Sequence, residues 1–318
     1  SFSSNNRLGL GKWMVVEADE SDGSFLRLPH EINIITNIDI EHLDYYKNFN
    51  ELKKNFQKFL DKTPSFGKAL VCLDNNYLRE ILKKTKTKNF LTYGFHKQAN
   101  YQIINAEKNK FYSKFDIKIK IIGKKNKIIK NICINMLGDH NILNSAASIA
   151  IALNLGISVN VIKKALKKFS GIQRRFTKVF SHNGREFYDD YAHHPTEIKA
   201  VLNSARQVYK KRKIICVFQP HRYSRIELLK KQFSSSFKLS DLLVLCPVYS
   251  AGEKNKYKFK QKKFSELISK ESKVQVVNIN GKIDLKNFFK KNLFTNEMVI
   301  CMGAGSISNW IRSITRDL

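Results

Sequence analysis

Tyr188-Asp189-Asp190-Tyr191-Ala192-His193-His194-Pro195-Thr196-Glu197 is the stretch that decides the fold of this 318-residue chain. Residues 186–190 read as a strand, and Pro195 then opens a helix, where its missing N–H is not needed and its φ is already set. A strand-to-helix turn of this kind is the building unit of an α/β fold. Just upstream, Asn183-Gly184 separates residues 177–181 from 186–190, a strong two-residue hairpin signal, because such a turn needs positive φ at both positions. Downstream the alternation continues through helix 195–209, strand 214–218, helix 223–237, strand 242–245, helix 264–269, strand 274–277, helix 285–288, strand 298–302 and helix 306–314. This pattern predicts a Rossmann-like α/β domain.

A boundary falls at Ser170-Gly171-Ile172-Gln173-Arg174-Arg175-Phe176, dividing the chain into domains 1–172 and 173–318. The first is also α/β, with an amphipathic helix over 50–61 through Leu52, Phe56, Phe59 and Leu60. Partly alternating strands at 115–122 and 128–134 suggest an antiparallel excursion. Helices return at Leu137-Gly138-Asp139-His140-Asn141, running to 155, and at Ser158, which caps a helix ending near 169. Near the start, Val15-Val16-Glu17-Ala18-Asp19-Glu20-Ser21-Asp22-Gly23-Ser24-Phe25-Leu26 places four carboxylates within six positions after an apolar run. Residues 13–16 read as a buried parallel strand, whose C-terminal end would meet the crevice where open α/β sheets bind ligands. Mg²⁺ prefers such oxygen donors and brings phosphates with it. A solvated acidic turn with Asp19 or Ser21 capping a helix is the competing reading. A second apolar run, 32–35, empties into Thr36-Asn37-Ile38-Asp39-Ile40-Glu41-His42-Leu43-Asp44, so two strands are expected to end in metal-capable loops.

Three constellations mark the second domain. Neighbouring residues point in different directions, so His193 and His194 do not share one ion, and from the residues alone they are surface or capping groups more readily than ligands. Gln219-Pro220-His221-Arg222-Tyr223-Ser224-Arg225 again follows a strand and opens a helix. Arg222 and Arg225, three apart, would share a helical face at an N-terminus and present two forks to a carboxylate or phosphate, with a pair of solvated arginines as the bland alternative. Gly303-Ala304-Gly305 after the last strand is a turn first and a ligand loop second.

Together these motifs resemble the Mur ligases, the ATP-dependent amide-forming enzymes of peptidoglycan precursor synthesis, and most of all their alanine-adding branch. The resemblance covers essentially the whole chain. It implies a truncated Mur-ligase central ATPase-like domain followed by the Rossmann-like ligase domain, with ATP and Mg²⁺ as cofactors. UDP-N-acetylmuramate and L-alanine are the implied substrates, joined through an acyl phosphate for the building of the cell wall, and hence for cell shape and division. Glu17 and His42 are similar to the family's Mg²⁺ ligands, and Asp19, Glu20, Ser21 and Asp22 to groups beside the metal or the acceptor. His140, Asn141 and Asn144 resemble its adenine-contacting segment, although Asp139 and Leu137 replace a usual arginine and proline. Arg175 corresponds to an arginine that reaches ATP phosphate, and Asp190 to its partner near the ribose. Asp-Asp-Tyr-Ala-His-His-Pro-Thr-Glu departs from the family signature only at Ala192, where glycine is usual. His193, as catalytic and substrate-side group, and His194 belong to that signature, and Arg222 and Arg225 to the motif that holds the amino-acid carboxylate. Domain closure would bring His193 and the arginines to the acyl phosphate. The family's Gly-x-x-Gly-Lys-Thr phosphate loop and the UDP-binding domain before it are absent from these residues. The resemblance therefore implies an N-terminally truncated ligase, inactive by itself. A murein-tripeptide ligase of the same family, which adds a ready-made peptide, is the nearest alternative, and the Gln-Pro-His-Arg motif favours the alanine branch.

Composition sets the outer limits. The 42% hydrophobic content suits ordinary cores, and no apolar run reaches the roughly 20 residues of a membrane helix, so no membrane insertion is expected. The N-terminus lacks a signal-peptide pattern. Cys72, Cys133, Cys216 and Cys301 lie in apolar runs and Cys246 ends another, as free thiols of a reducing cytoplasm would. Lys and Arg number 57 against 27 Asp and Glu, a net charge of +30 that would suit a nucleic-acid binder. The basic runs, however, are lysine-rich and scattered over many elements, and no recognition module accompanies them, so no nucleic-acid partner is expected.

Overall fold

The computed structural model describes residue 6 and residues 8–109, 112–121, 123 and 125–314, which form two compact units, Ser1–Ser170 and Gly171–Leu318. In the first unit a 3-10 turn, Ser24–Arg27, precedes β1 (Ile32–Ile35), α1 (Phe49–Asp61), β2 (Lys68–Cys72), α2 (Asn76–Leu82) and β3 (Phe90–Gly94). Then follow β4 (Tyr101–Lys108), β5 (Ser113–Ile119), β6 (Lys127–Ile134), α3 (Asp139–Asn154) and α4 (Val159–Lys168). The six strands lie in sequence order, β1 to β4 parallel and β4 to β6 antiparallel, so the expected antiparallel excursion is present. α3 packs across β2, β3, β4 and β5, and its Ile142, Ala146, Ile149 and Ala150 join Leu70, Val71, Phe115 and Ile117 in one core. Small alanines on that face let the helix approach the sheet closely.

The expected strand at 13–16 does not form. These residues have no ladder partner and are open to solvent, Val15 at 96% and Met14 at 86%. A parallel strand needs pairing at its edges and cover on its faces, and β1, which pairs only with β2, is the edge of this sheet among the described residues. An apolar run without those neighbours remains an exposed extended segment.

The second unit follows the predicted alternation. β7 (Thr177–His182) and β8 (Arg185–Asp190) make the hairpin, with φ of 49° at Asn183 and 76° at Gly184. Next come α5 (Pro195–Val208), β9 (Ile214–Phe218), α6 (Tyr223–Ser234), β10 (Leu242–Leu245), α7 (Gln261–Ser272) and β11 (Gln275–Asn278). α8 (Lys282–Asn292), β12 (Met298–Met302) and α9 (Ile307–Ile314) complete the chain. The sheet order is β11-β10-β9-β12-β8-β7, parallel except for β7. β9 and β12 are buried at every position, as central strands covered on both faces must be. All five cysteines are free thiols, and all but Cys133 are buried.

Candidate active site

Sheet order brings the three constellations of the second unit to one edge. Met302, at the end of β12, pairs with Asp190 of β8 on one side and Phe218 of β9 on the other. The loops after β8, β9 and β12 therefore emerge side by side at the C-terminal edge, where open parallel sheets bind their ligands.

The loop after β8 is held by carboxylates. Asp190, 3% exposed, accepts the Phe176 N–H and the Ala192 N–H through its two oxygens, each at 2.7 Å. Burial pushes its carboxyl up to about 6 against the pull of these two N–H groups and of Arg175. Glu197 Oε2 accepts the N–H of His193 at 3.0 Å and of His194 at 3.2 Å, and its other oxygen lies 3.5 Å from Arg175 Nη1. His194 is buried and caps α5, its Nδ1 accepting from the Thr196 N–H at 3.3 Å. His193 has its Nδ1 3.0 Å from the Tyr191 carbonyl. A carbonyl only accepts, so Nδ1 carries a proton in this contact, and in the neutral ring the lone pair is on Nε2.

The loop after β9 departs from the helical-face expectation. Arg222 is the N-cap of α6, at φ 66° and ψ 134°, and so lies outside the helix; the i, i+3 argument does not apply to it. Its conformation is fixed from another strand end, for its N–H donates to the Tyr249 carbonyl at 2.9 Å while the Tyr249 N–H donates to Pro220 at 2.8 Å. A non-glycine residue held at positive φ marks local strain of the kind that gathers at functional sites. Arg225 Nη1 donates to His221 Nδ1 at 3.0 Å. The His221 ring stacks on Tyr249, with centroids 5.5 Å apart and planes at 15°, and lies 5.8 Å from the His193 ring. Burial first, then the charges of Arg225, His193 and Arg222, pull the His221 pKa down to about 4, so this ring is neutral near pH 7. Glu253 holds the start of α6 by accepting the Ser224 hydroxyl at 2.6 Å and the Ser224 N–H at 3.1 Å.

The glycine turn after β12 packs under both loops. Gly303 donates its N–H to the Asp190 carbonyl at 3.2 Å, and its own carbonyl accepts from Arg174 Nη2 at 2.7 Å. A Cβ at Gly305 would stand 2.5 Å from Tyr249 Cγ and 2.6 Å from Gln219 Oε1, so only glycine fits. Tyr249 and Glu253 escaped the sequence reading because they sit in the loop after β10 with no motif around them. Glu197 belongs to the motif read in the sequence, but its part in a capping box emerges only in the structure, because the N-cap is His194 and not the Ser, Thr, Asp or Asn that marks such a box in a sequence.

In the first unit the two acidic loops meet. The Tyr46 hydroxyl donates to the Glu20 carbonyl at 2.5 Å, and His42 Nε2 lies 3.3 Å from Glu20 Oε1. Burial, then the charges of Tyr45, Glu20, Asp22 and Asp19, push the Tyr46 hydroxyl up to about 12. His42 itself stands at φ 56°. Asp19 and Asp22 accept the N–H groups of Ser21 and Ser24 two residues on, at 2.8 and 2.9 Å, which makes the acidic knot a self-bonded turn. Among the described residues no group of three or more His, Cys, Asp or Glu encloses a cation. Of the expected metal-side residues, His42 is brought beside Glu20, and Glu17 lies on the exposed extended segment that precedes the acidic turn. Carboxylate and imidazole groups in such small number suit Mg²⁺, which takes one or two side chains from a protein and its other ligands from phosphate and water. At the start of α3, His140 Nε2 lies 3.1 Å from Asn141 Nδ2, and Asn144 follows one turn on. Asp139 there pairs with Lys108 at 2.6 Å.

Comparison with known proteins shows the family. Residues 11–152 match the Mur ligase middle domain, and residues 174–305 the Mur ligase glutamate ligase domain. The UDP-N-acetylmuramate–L-alanine ligase of Pelagibacter ubique is 48% identical over 99% of this chain and 68% of its own length; that of Bartonella tribocorum is 39% identical over 100% and 67%. The crystal structure of a UDP-N-acetylmuramate-alanine ligase from Thermotoga maritima superposes with a TM-score of 0.73 at 24% identity, over 94% of this chain and 62% of that one. The chain thus spans about two thirds of the curated relatives it matches. With both domain profiles satisfied along most of its length, the chain belongs to the Mur ligase family.

Proposed function

We propose that this chain carries the metal-side and amine-side residues of an ATP-dependent ligase that joins L-alanine to UDP-N-acetylmuramate in peptidoglycan precursor synthesis, a cytoplasmic reaction. The observation that carries the reading is the meeting, at one sheet edge, of His193, His221 and Arg225 with Arg222 locked beside them. A carboxylate is a poor acylating agent, and ATP supplies the phosphoryl group that turns it into an acyl phosphate. The alanine nitrogen then attacks the carbonyl carbon, the C–N bond forms, and the C–O bond to phosphate breaks with its electron pair leaving on phosphate. The attacking amine must first lose a proton, and His193 Nε2, with its lone pair directed away from the Tyr191 carbonyl, is the base on this side.

Arg222 and Arg225 hold the alanine carboxylate through planar forks at the start of α6, with His194 and Glu197 fixing the loop that presents His193. Glu17 and His42 would hold Mg²⁺, which supplies charge neutralisation between phosphate and carboxylate, with Asp19, Glu20, Ser21 and Asp22 beside the acceptor. His140, Asn141 and Asn144 would contact the adenine and Arg175 the phosphates. Asp190, with both oxygens already bonded to backbone, serves the nucleotide side by holding the 174–176 loop. Since Ser1–Leu318 contains no Gly-x-x-Gly-Lys-Thr stretch, these residues alone should not complete phosphoryl transfer.

The test is steady-state ligation by the full-length protein. Arg222→Lys and Arg225→Lys keep the charge and lose the fork, so each should raise the L-alanine KM on the order of ten- to a hundredfold and leave the ATP KM nearly unchanged. Equal effects on both substrates would place the arginines at the nucleotide instead.

A further inference from the structure

We infer that His221 is a positioning residue that acts through Arg225: its Nδ1 lone pair, held in place by the stack on Tyr249, fixes the guanidinium edge that faces the amine substrate's carboxylate. The inference deepens the reading above and rests on it for the identity of the anion. Two contacts tie Arg225 to His221, from Nη1 to Nδ1 at 3.0 Å and from Nη1 to the His221 carbonyl at 3.3 Å. Arginine only donates, so Nδ1 must be the acceptor and the imidazole proton must sit on Nε2. A protonated ring would face the guanidinium with a second donor and a second positive charge.

The surroundings enforce this state from every side that packs on the ring. Tyr249 covers one face, and the backbones of His221 and Tyr249 form a parallel bridge, so ring and partner are registered through the main chain. Tyr249 is in turn pressed by Gly305, where no side chain fits. Besides Tyr249, the charged and titratable groups that act on His221 are Arg225, His193, Arg222 and Glu253; the first three disfavour a charged ring, and Glu253, the one that favours it, is engaged by Ser224. An arginine held at one Nη keeps its fork in a fixed plane, which is what bidentate carboxylate recognition requires.

Two substitutions separate the acceptor from the stack. His221→Asn places a carbonyl oxygen close to the Nδ1 position and removes the ring; His221→Phe keeps a ring on Tyr249 and removes the acceptor. Binding of L-alanine to each variant, followed by NMR titration of the protein, should show His221→Asn within a few-fold of wild type and His221→Phe weakened by about tenfold or more. The reverse order, with Phe tolerated and Asn not, would overturn the inference in favour of simple packing. Nitrogen-15 spectra of the histidine ring give a readout independent of the ligand. The His221 Nδ1 signal should be that of an unprotonated acceptor from pH 8 down to pH 5 and should shift in Arg225→Ala. A protonated Nδ1, or one indifferent to Arg225, would sink the inference whatever the substrate. If wild type binds no L-alanine while the nitrogen signals behave as described, the assignment of the amine fails and the His221–Arg225 anchor stands.

Discussion

At the scale of single residues, Asp190 and Gly305 carry measurable consequences. Burial raises the Asp190 carboxyl to about 6 from an unfolded value of 3.8, so between those values the native state binds more protons than the unfolded one. Its contribution is therefore fully present below about pH 4 and is lost as pH rises to about 6, the loss amounting to on the order of 3 kcal/mol at most. His221, lowered to about 4 from 6.5, works in the opposite sense: its contribution is in place above pH 6.5 and fades as pH falls toward 4. Denaturant titrations of wild type and Asp190→Asn isolate the first effect, and the stability difference between them should shift in favour of the variant as pH rises from 4 to 6. A pH-independent difference would show that Asp190 is ionised throughout. Gly305→Ala drives a methyl into Tyr249 and Gln219, both fixed by other bonds, and should cost about 1–3 kcal/mol in the second unit. A melting temperature equal to wild type would mean that Tyr249 can move.

The element scale is best seen in the β4–β5–β6 meander, which the alternation of residues 115–134 foretold without its irregularities. Two bulges interrupt it, between Ile104 and Glu107 and between Phe115 and Ile117, with Asn105 at φ 51° and Asn131 at φ 58°. One carboxylate ties both: Asp116 accepts the Asn131 N–H at 2.7 Å and the Asn105 side-chain amide at 2.9 Å. Burial alone would raise this carboxyl, but the bonds from Asn105 and Asn131 hold it below its ordinary value. Asp116→Ala should then lower the stability of the first unit by about 1–2 kcal/mol, with Asp116→Asn intermediate. Backbone amide exchange at Asn131 of β6, faster in Asp116→Ala while exchange in α1 is unchanged, would locate the effect; unaltered exchange at Asn131 would remove Asp116 from the bulge. Bulges of this kind are hard to read in a sequence, since one inserted residue is defined only against a partner strand.

On the scale of the whole molecule, the two units each own a sheet and an apolar interior. The second unit packs Phe187, Val217, Val299, Phe289 and Ile307 around its parallel sheet. Residues 171–318 produced alone should therefore unfold in a single cooperative transition, with near-ultraviolet circular dichroism and dispersed NMR signals of a native core. A broad, non-cooperative transition would show that the unit depends on the first. What the sequence by itself determined is whatever depends on neighbours along the chain. The Asn183-Gly184 hairpin, the Pro195 helix start, the strands at 214–218, 242–245 and 298–302, and the motifs of the Mur ligases all rest on local conformational preference and on residue identity. What only the tertiary structure decided is whatever depends on neighbours across the sheet. The order β9-β12-β8 gathers three separate loops at one edge, Tyr249 from a fourth loop sets the backbone of Arg222, and residues 13–16 stay unpaired despite their apolar run. The physical reason is that backbone preference acts within a few residues, whereas strand pairing and burial are settled by which distant segments lie alongside.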